Sequence, residues 1–184
     1  MLKFKPLAVE YADVMTKWRT DPGISTHMFT EPKTISKNDQ VAWINARLTD
    51  DSFLGFIICD CGEPVGFLSY TKIDRKNRHC STGSYIVDRS ASAKYAVTLH
   101  EYIYTYAFEV LKMNKVYAEV LETNKKVLKL QELLGMQLAG ILRQHVLKSN
   151  EWLDIYIYEQ LSTKWHERRF RTRSNQELFN GFMQ

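Results

Sequence analysis

The sequence predicts an α/β domain, a mixed β-sheet flanked by helices, with elements in the order β-α-α-β-β-β-α-β-α-β-β. Three observations lead there. Residues 53–60, 65–73 and 79–87 are rich in β-formers and separated by short polar turns, the pattern of an antiparallel meander. The stretch 106–140, YAFEVLKMNKVYAEVLETNKKVLKLQELLGMQLAG, compresses a helix end, a strand and an Asn-opened second helix into one αβα unit. Two further strand patterns, 137–147 and 152–161, close the domain around the turn Lys148-Ser149-Asn150.

Each element has a local reason. Residues 2–7 alternate apolar and basic side chains, as a half-buried strand does. Val9, Ala12, Val14, Met15 and Trp18 then recur at helical spacing over 8–19, and Asp21-Pro22-Gly23 ends that helix. Ser36 is placed to cap a second helix through Leu48, with Asp39 three residues on as the acid of a capping box, and Thr49-Asp50-Asp51 closes it. Cys61-Gly62-Glu63-Pro64 joins the first two meander strands, and the polar turn 74–78 leads to the third. A helical pattern fills 90–112, a strand 115–121, and a helix from Asn124 stops at Gly135.

At 184 residues and 45% hydrophobic content, the chain is long enough to bury one substantial core and too short for two ordinary domains, so one domain is expected. The domain is expected over 1–161 and, over 162–184, a basic tail, helical or partly ordered and packing on the domain or a partner, with five Lys/Arg against two Asp/Glu. The tail interleaves Arg168, Arg169, Arg171 and Arg173 with Phe170. The body has no matching basic stripe, so a solvated face is expected rather than nucleic-acid binding. The longest apolar runs are of strand length, well short of a membrane span of ~20 residues. No apolar signal core opens the chain, so the cytoplasm is the expected compartment. Cys59, Cys61 and Cys80 lack the spacing of a zinc site and read as reduced thiols; no metal is expected.

The element order, Gly66, Gly83 ahead of an aromatic, and the 124–136 block together resemble the GNAT superfamily of acyl-CoA-dependent N-acyltransferases over residues 2–161. Trp18-Arg19, Asp21-Pro22 and His27-Met28-Phe29 resemble the N-terminal region of nucleotide-amino-sugar N-acetyltransferases of the pseudaminic acid pathway. The ending GILRQHVLKSNEWLDIYIYEQL is similar to a wider set that includes acetyltransferases of ribosomal-protein N-termini. The resemblance implies acetyl-CoA as co-substrate and a primary amine as acceptor. A homodimer through the late strands or the tail is also an expectation.

That chemistry needs a group to take the ammonium proton, a donor for the developing oxyanion, and a proton source for the leaving thiolate. The resemblance puts the pyrophosphate turn at 91–96, where Ser92, Ala93, Lys94, Tyr95 and Ala96 follow Ala91 and only Ala96 matches the family pattern. Either Lys94 extends away and lends charge to phosphate while Ser90 or Ser92 caps the helix, or the site binds CoA poorly. Asn124 is implied to contact the pantetheine arm, and is also a plain N-cap. Gln131 stands where many relatives carry a proton-donating Tyr, and glutamine is no acid near neutral pH. Ser81 stands at the usual acidic base. His79 shares its strand face with Ser81, Gly83 and Tyr85 and is the nearby candidate base, or else a surface histidine. Backbone N–H groups of Tyr85, Ile86 and Val87 are implied to bind the acyl carbonyl and the pantetheine amides.

Trp18, Arg19, Met28 and Phe29 suit a nucleotide base and diphosphate, and Tyr70 a sugar hydroxyl, although Trp18 and Tyr70 also read as packing residues. The expected activity is therefore acetyl transfer to the amine of a nucleotide-linked deoxy amino sugar. Protein N-terminal acetylation and a catalytically lapsed acyl-CoA-binding protein remain as alternatives.

Overall fold

The computed structural model describes residues 2–30, 34–167 and 175–182. The chain runs β1 (Lys3–Pro6), a 3-10 turn (Val9–Tyr11), α1 (Ala12–Thr20), α2 (Pro22–Ser25), α3 (Lys37–Leu48), β2 (Leu54–Asp60), β3 (Glu63–Asp74) and β4 (His79–Ile86). It continues with α4 (Arg89–Thr105), a π-helical turn (Tyr106–Val110), β5 (Lys115–Leu121), α5 (Lys125–Leu133), β6 (Gln137–Lys148), β7 (Glu151–Leu161), α6 (Ser162–His166) and α7 (Asn175–Phe182). The seven strands form one mixed sheet in the order β1-β2-β3-β4-β5-β7-β6, so the expected α/β architecture is the one observed. Only β4 and β5 run parallel.

Period-two alternation assigns the faces. Even positions of β4 and β5, such as Cys80, Ile86, Val116 and Val120, join Phe4, Leu68 and Tyr102 in the larger core beneath α4, α5 and α7. Odd positions, Tyr85 among them, face the smaller core of Ala12, Met15, Trp18, Ile44 and Phe67 under α1 and α3. The described residues beyond 161 belong to the same body. Trp165 and Leu178 are buried, and Phe182 stacks on Phe4 at 4.3 Å between ring centroids. The tail arginines Arg168, Arg169, Arg171 and Arg173, with Phe170, lie outside the described residues.

Two local expectations change, at the β2–β3 turn and at the cap of α4, and two more gain detail. The Cys61-Gly62 turn needs only two residues because both adopt positive φ, 50° and 91°, and Glu63 and Pro64 are already strand. Asp21-Pro22-Gly23 ends α1 at Thr20 as expected and also starts α2, since the Asp21 carboxylate accepts the Gly23 N–H at 2.6 Å with Pro22 at the first helical position. Neither Ser90 nor Ser92 caps α4: the Asp88 carboxylate accepts the Ala91 N–H at 2.7 Å and the Ser90 hydroxyl at 2.6 Å. Among its described residues the tail contributes two helices, α6 and α7, in keeping with the expected helical tail. Among the described residues no helix is long and apolar enough to cross a membrane, and no group of His, Cys, Asp and Glu could hold a metal.

The capping box at α3 forms as expected, Ser36 Oγ accepting the Asp39 N–H at 3.1 Å and Asp39 Oδ2 accepting the Ser36 N–H at 3.3 Å. The Ser36 hydroxyl and N–H hold the Asp39 carboxyl below its ordinary value. A depressed carboxyl stabilises the fold above its unfolded pKa of ~3.9 and loses that contribution as pH falls through the folded value. Ser36→Ala is expected to cost ~1 kcal/mol at neutral pH by denaturant melt. The gap from wild type should narrow as pH drops below ~4. An equal gap at both pH values would remove Asp39 from the account.

Candidate active site

The site arises where two parallel strands separate. β4 and β5 pair only through His79↔Lys115, Cys80↔Val116 and Ser81↔Tyr117, and beyond that point the strands diverge. Val87 donates its N–H to Val65 O at 2.9 Å, and Tyr85 lies opposite Phe67 in the same antiparallel register. Odd N–H groups of β4 are thus directed at β3, whereas those of Ser84 and Ile86 are directed into the gap beside β5. The expectation of a free donor on every residue from Tyr85 to Val87 is corrected: the Tyr85 and Val87 N–H groups are directed at β3, Ile86 remains free for the gap, and Ser84 joins it by parity. A cavity of about 420 Å³ passes through this gap and touches both faces of the sheet.

On the α4–α5 face the walls include Ile86, Ser92, Ala96, Asn124, Val127 and Gln131. Asn124 is at once the N-cap of α5, accepting the Val127 N–H at 3.4 Å, and a lining residue, so its two readings coexist. Gln131 is 3% exposed and its Oε1 has no hydrogen-bond partner among the described residues. A buried carbonyl oxygen facing a cavity calls for a donor from a bound molecule, such as an amide N–H.

Ala93, Lys94 and Tyr95 do not line the cavity. The Lys94 ammonium lies 4.7 Å from the Tyr95 ring centroid, and Tyr95 donates to Asp60 Oδ2 at 2.8 Å, away from the gap. The first turn of α4, where a pyrophosphate would meet backbone N–H groups, is already capped by a carboxylate. Ser90 and the Ala91 N–H hold that Asp88 carboxyl low and therefore ionised. Asp88→Asn keeps a good cap and removes the charge. It is expected to tighten acetyl-CoA binding several-fold at low salt, as ~0.3–1 kcal/mol of helix-end electrostatics allows. Unchanged affinity by titration would mean the phosphates sit elsewhere.

On the opposite face the cavity meets Met15, Arg19, His27, Met28, Trp43, Phe53, Phe67, Tyr85 and Glu119. Arg19 is half-buried, donates to Gln40 Oε1 at 2.8 Å and lies 5.2 Å from the Trp43 ring centroid. Burial lowers its proton affinity and the nearby Tyr85 opposes that shift, yet guanidinium stays charged. The Tyr85 hydroxyl is buried without a partner among the described residues, and burial pushes its pKa well above the ordinary phenol value. It therefore remains a donor throughout the neutral range.

Of the expected acceptor residues, the fold brings Arg19 and Met28 to the cavity. Trp18 is 7% exposed and packs edge-on against Tyr85. Tyr70 is fully buried, its hydroxyl donating to Ile103 O at 2.7 Å, and Phe29 is exposed outside the lining. His79 sits at the paired end of β4, its Nε2 3.8 Å from Asp74 Oδ2. Six residues separate it from Tyr85, about 20 Å along a strand. Ser81 is buried at the last paired position and does not line the cavity.

Glu119 is the carboxylate that the sequence reading passed over. It is the one acidic residue of the lining, and it bonds Lys72 Nζ at 2.7 Å. The available signal was parity: Val116, Ala118 and Val120 are core, so Glu119 shares the other face with the Gly83–Tyr85 positions.

A sheet opened between two parallel strands, with helix starts on one face and an aromatic, ionic chamber on the other, defines a two-substrate group transferase. The family model described as Acetyltransferase (GNAT) domain matches residues 2–137, and the chain belongs to that family of acyl-CoA-dependent N-acetyltransferases. It is 25% identical to the uncharacterized N-acetyltransferase p20 of Bacillus licheniformis over 89% of this chain and 94% of that one. It is 28% identical to the acetyltransferase PseH of Campylobacter jejuni over 70% and 78%. The spermidine N-acetyltransferase of Vibrio cholerae, solved with CoA and spermine, has the same fold, with a TM-score of 0.83 at 20% identity over 90% of this chain and 98% of that one.

Proposed function

We propose that this chain transfers the acetyl group of acetyl-CoA to the amino group of a nucleotide-linked deoxy amino sugar. The observation that carries the reading is the Arg19–Tyr85 pair: a buried-side cation and an unpartnered phenol donor share one wall of the acceptor chamber. Such a pair suits an anionic group, a diphosphate by its size and charge. Trp43, Phe53 and Phe67 give the same chamber aromatic surface for a base. The likeness to PseH supports the same reading.

The amine enters beside Glu119, which takes one of its protons directly or through water. The nitrogen then attacks the thioester carbon, and the carbonyl oxygen faces the Ser84 and Ile86 N–H groups. As the C–S bond breaks, the departing sulfur takes up, through water, the second proton that the nitrogen sheds in becoming an amide, while the Gln131 carboxamide offers hydrogen bonds without giving up a proton.

A polyamine acceptor is the second reading, favoured by the fold neighbour bound to spermine. A polycation needs several carboxylates; this lining offers Glu119 alone, already paired with Lys72, and sets Arg19 against it. Thiol release from acetyl-CoA is to be measured with UDP-linked amino sugars, spermidine and peptides bearing free N-termini. Turnover of the sugars is expected. Faster release with spermidine or a peptide overturns the acceptor assignment, and no release together with no acetyl-CoA binding at millimolar concentration favours a lapsed enzyme.

A further inference from the structure

Lys148, the last residue of β6, is only 8% exposed, and a lysine is rarely buried unless paired. Its Nζ donates to three backbone carbonyls, Ser25 O at 2.9 Å, Thr26 O at 2.7 Å and Met28 O at 2.7 Å. These oxygens cluster at and just beyond the end of α2, where Ser25 O also accepts the Met28 N–H at 3.0 Å. The anchor side is stiff. Ser149 and Asn150 both take positive φ, 49° and 65°, in a two-residue hairpin turn, and Lys148 pairs with Glu151. The tethered side is not held by packing, since no described residue from 21 to 30 is buried.

That segment carries His27 and Met28, two walls of the acceptor chamber. We propose that Lys148 is a positioning residue for the acceptor: its ammonium gathers the carbonyls of 25, 26 and 28 and so fixes His27 and Met28 at the cavity. Three charge-assisted bonds replace the apolar anchor the segment lacks. This rests on the reading of that chamber as the acceptor site.

Lys148→Met keeps the length of the stem and removes the cation. In the full chain, hydrogen exchange of the His27 and Met28 amides, which bond Ile24 O and Ser25 O at 3.0 Å, is expected to quicken about tenfold while α5 is unchanged. With whichever acceptor class releases thiol, KM should rise about tenfold while kcat and acetyl-CoA affinity stay within about twofold, the signature of lost ground-state positioning. Lys148→Cys in a Cys61→Ser background, alkylated with 2-bromoethylamine to restore an ammonium, should recover the parent KM. Unchanged exchange at 27 and 28 overturns the tether. Quickened exchange with unchanged KM, or a fall in kcat alone, overturns the positioning role. If no acceptor is turned over, the functional assignment fails separately, and the exchange result still decides the tether.

Discussion

Glu119→Gln is expected to lower kcat about 10²–10⁴-fold while leaving acetyl-CoA affinity intact, the range in which positioned acid–base groups contribute. The size follows from what the lining lacks. Among the described residues no second carboxylate borders the cavity, and the lining histidines are His27, on the loop after α2, and His100, on α4 with its Nδ1 2.8 Å from Ala96 O; His79 lies at the far end of β4, and Ser81 is a poor base. Glutamine preserves the shape and still accepts a hydrogen bond, so the substitution isolates proton uptake from packing. Lys72, whose pKa is raised chiefly by its bond to Glu119, keeps an aliphatic stem over the same surface. A rate within about fivefold of wild type would exclude Glu119, since even weak general catalysis exceeds that.

Gly66→Ala should be the most damaging change of a single methyl group. A Cβ at Gly66 falls on the Tyr85 carbonyl oxygen and 3.0 Å from the Ile86 Cα, so backbone must yield rather than a flexible side chain. Overpacking of this kind costs about 1–3 kcal/mol or more. The strain falls on the segment that directs Ser84 and Ile86 into the gap. Acetyl-CoA affinity is therefore expected to drop more than about tenfold even in protein that remains folded at low temperature, 1.4 kcal/mol sufficing for that loss. Gly140→Ala is the control, because nothing lies within 4 Å of its added Cβ. Equal binding by the two variants would show that the β3–β4 contact does not set the site.

What could be read in advance follows the range of the interaction involved. The Ser36–Asp39 capping box, the Asn124 cap and both ends of β5 depend on residues within a few positions of one another, and they stand as expected. Strand parity was legible as well, yet its use needed a fact about register. Whether Tyr85 or Ser84 donates into the gap depends on Val87 bonding Val65, across a turn. Tyr70 and Trp18 have the composition of binding residues but are claimed by the two cores, a decision made by elements far away in sequence. Glu119 looked like the polar member of an alternating strand until the separation of β4 and β5 gave it a cavity to face. Lys148 gave no local sign at all, because its partners lie 120 to 123 residues earlier.

The gap between β4 and β5 also sets the traffic of the reaction. On the proposed reading the donor's arm and the acceptor approach from opposite faces of one sheet, so that neither stands in the other's doorway and the acetyl group would cross between them without being parked on the protein. Initial rates at varied concentrations of both substrates should accordingly give intersecting reciprocal lines rather than parallel ones. On that reading the sheet works less as a scaffold beneath a site than as a partition with a slot between β4 and β5, through which one small group would be handed across while everything larger stays on its own side.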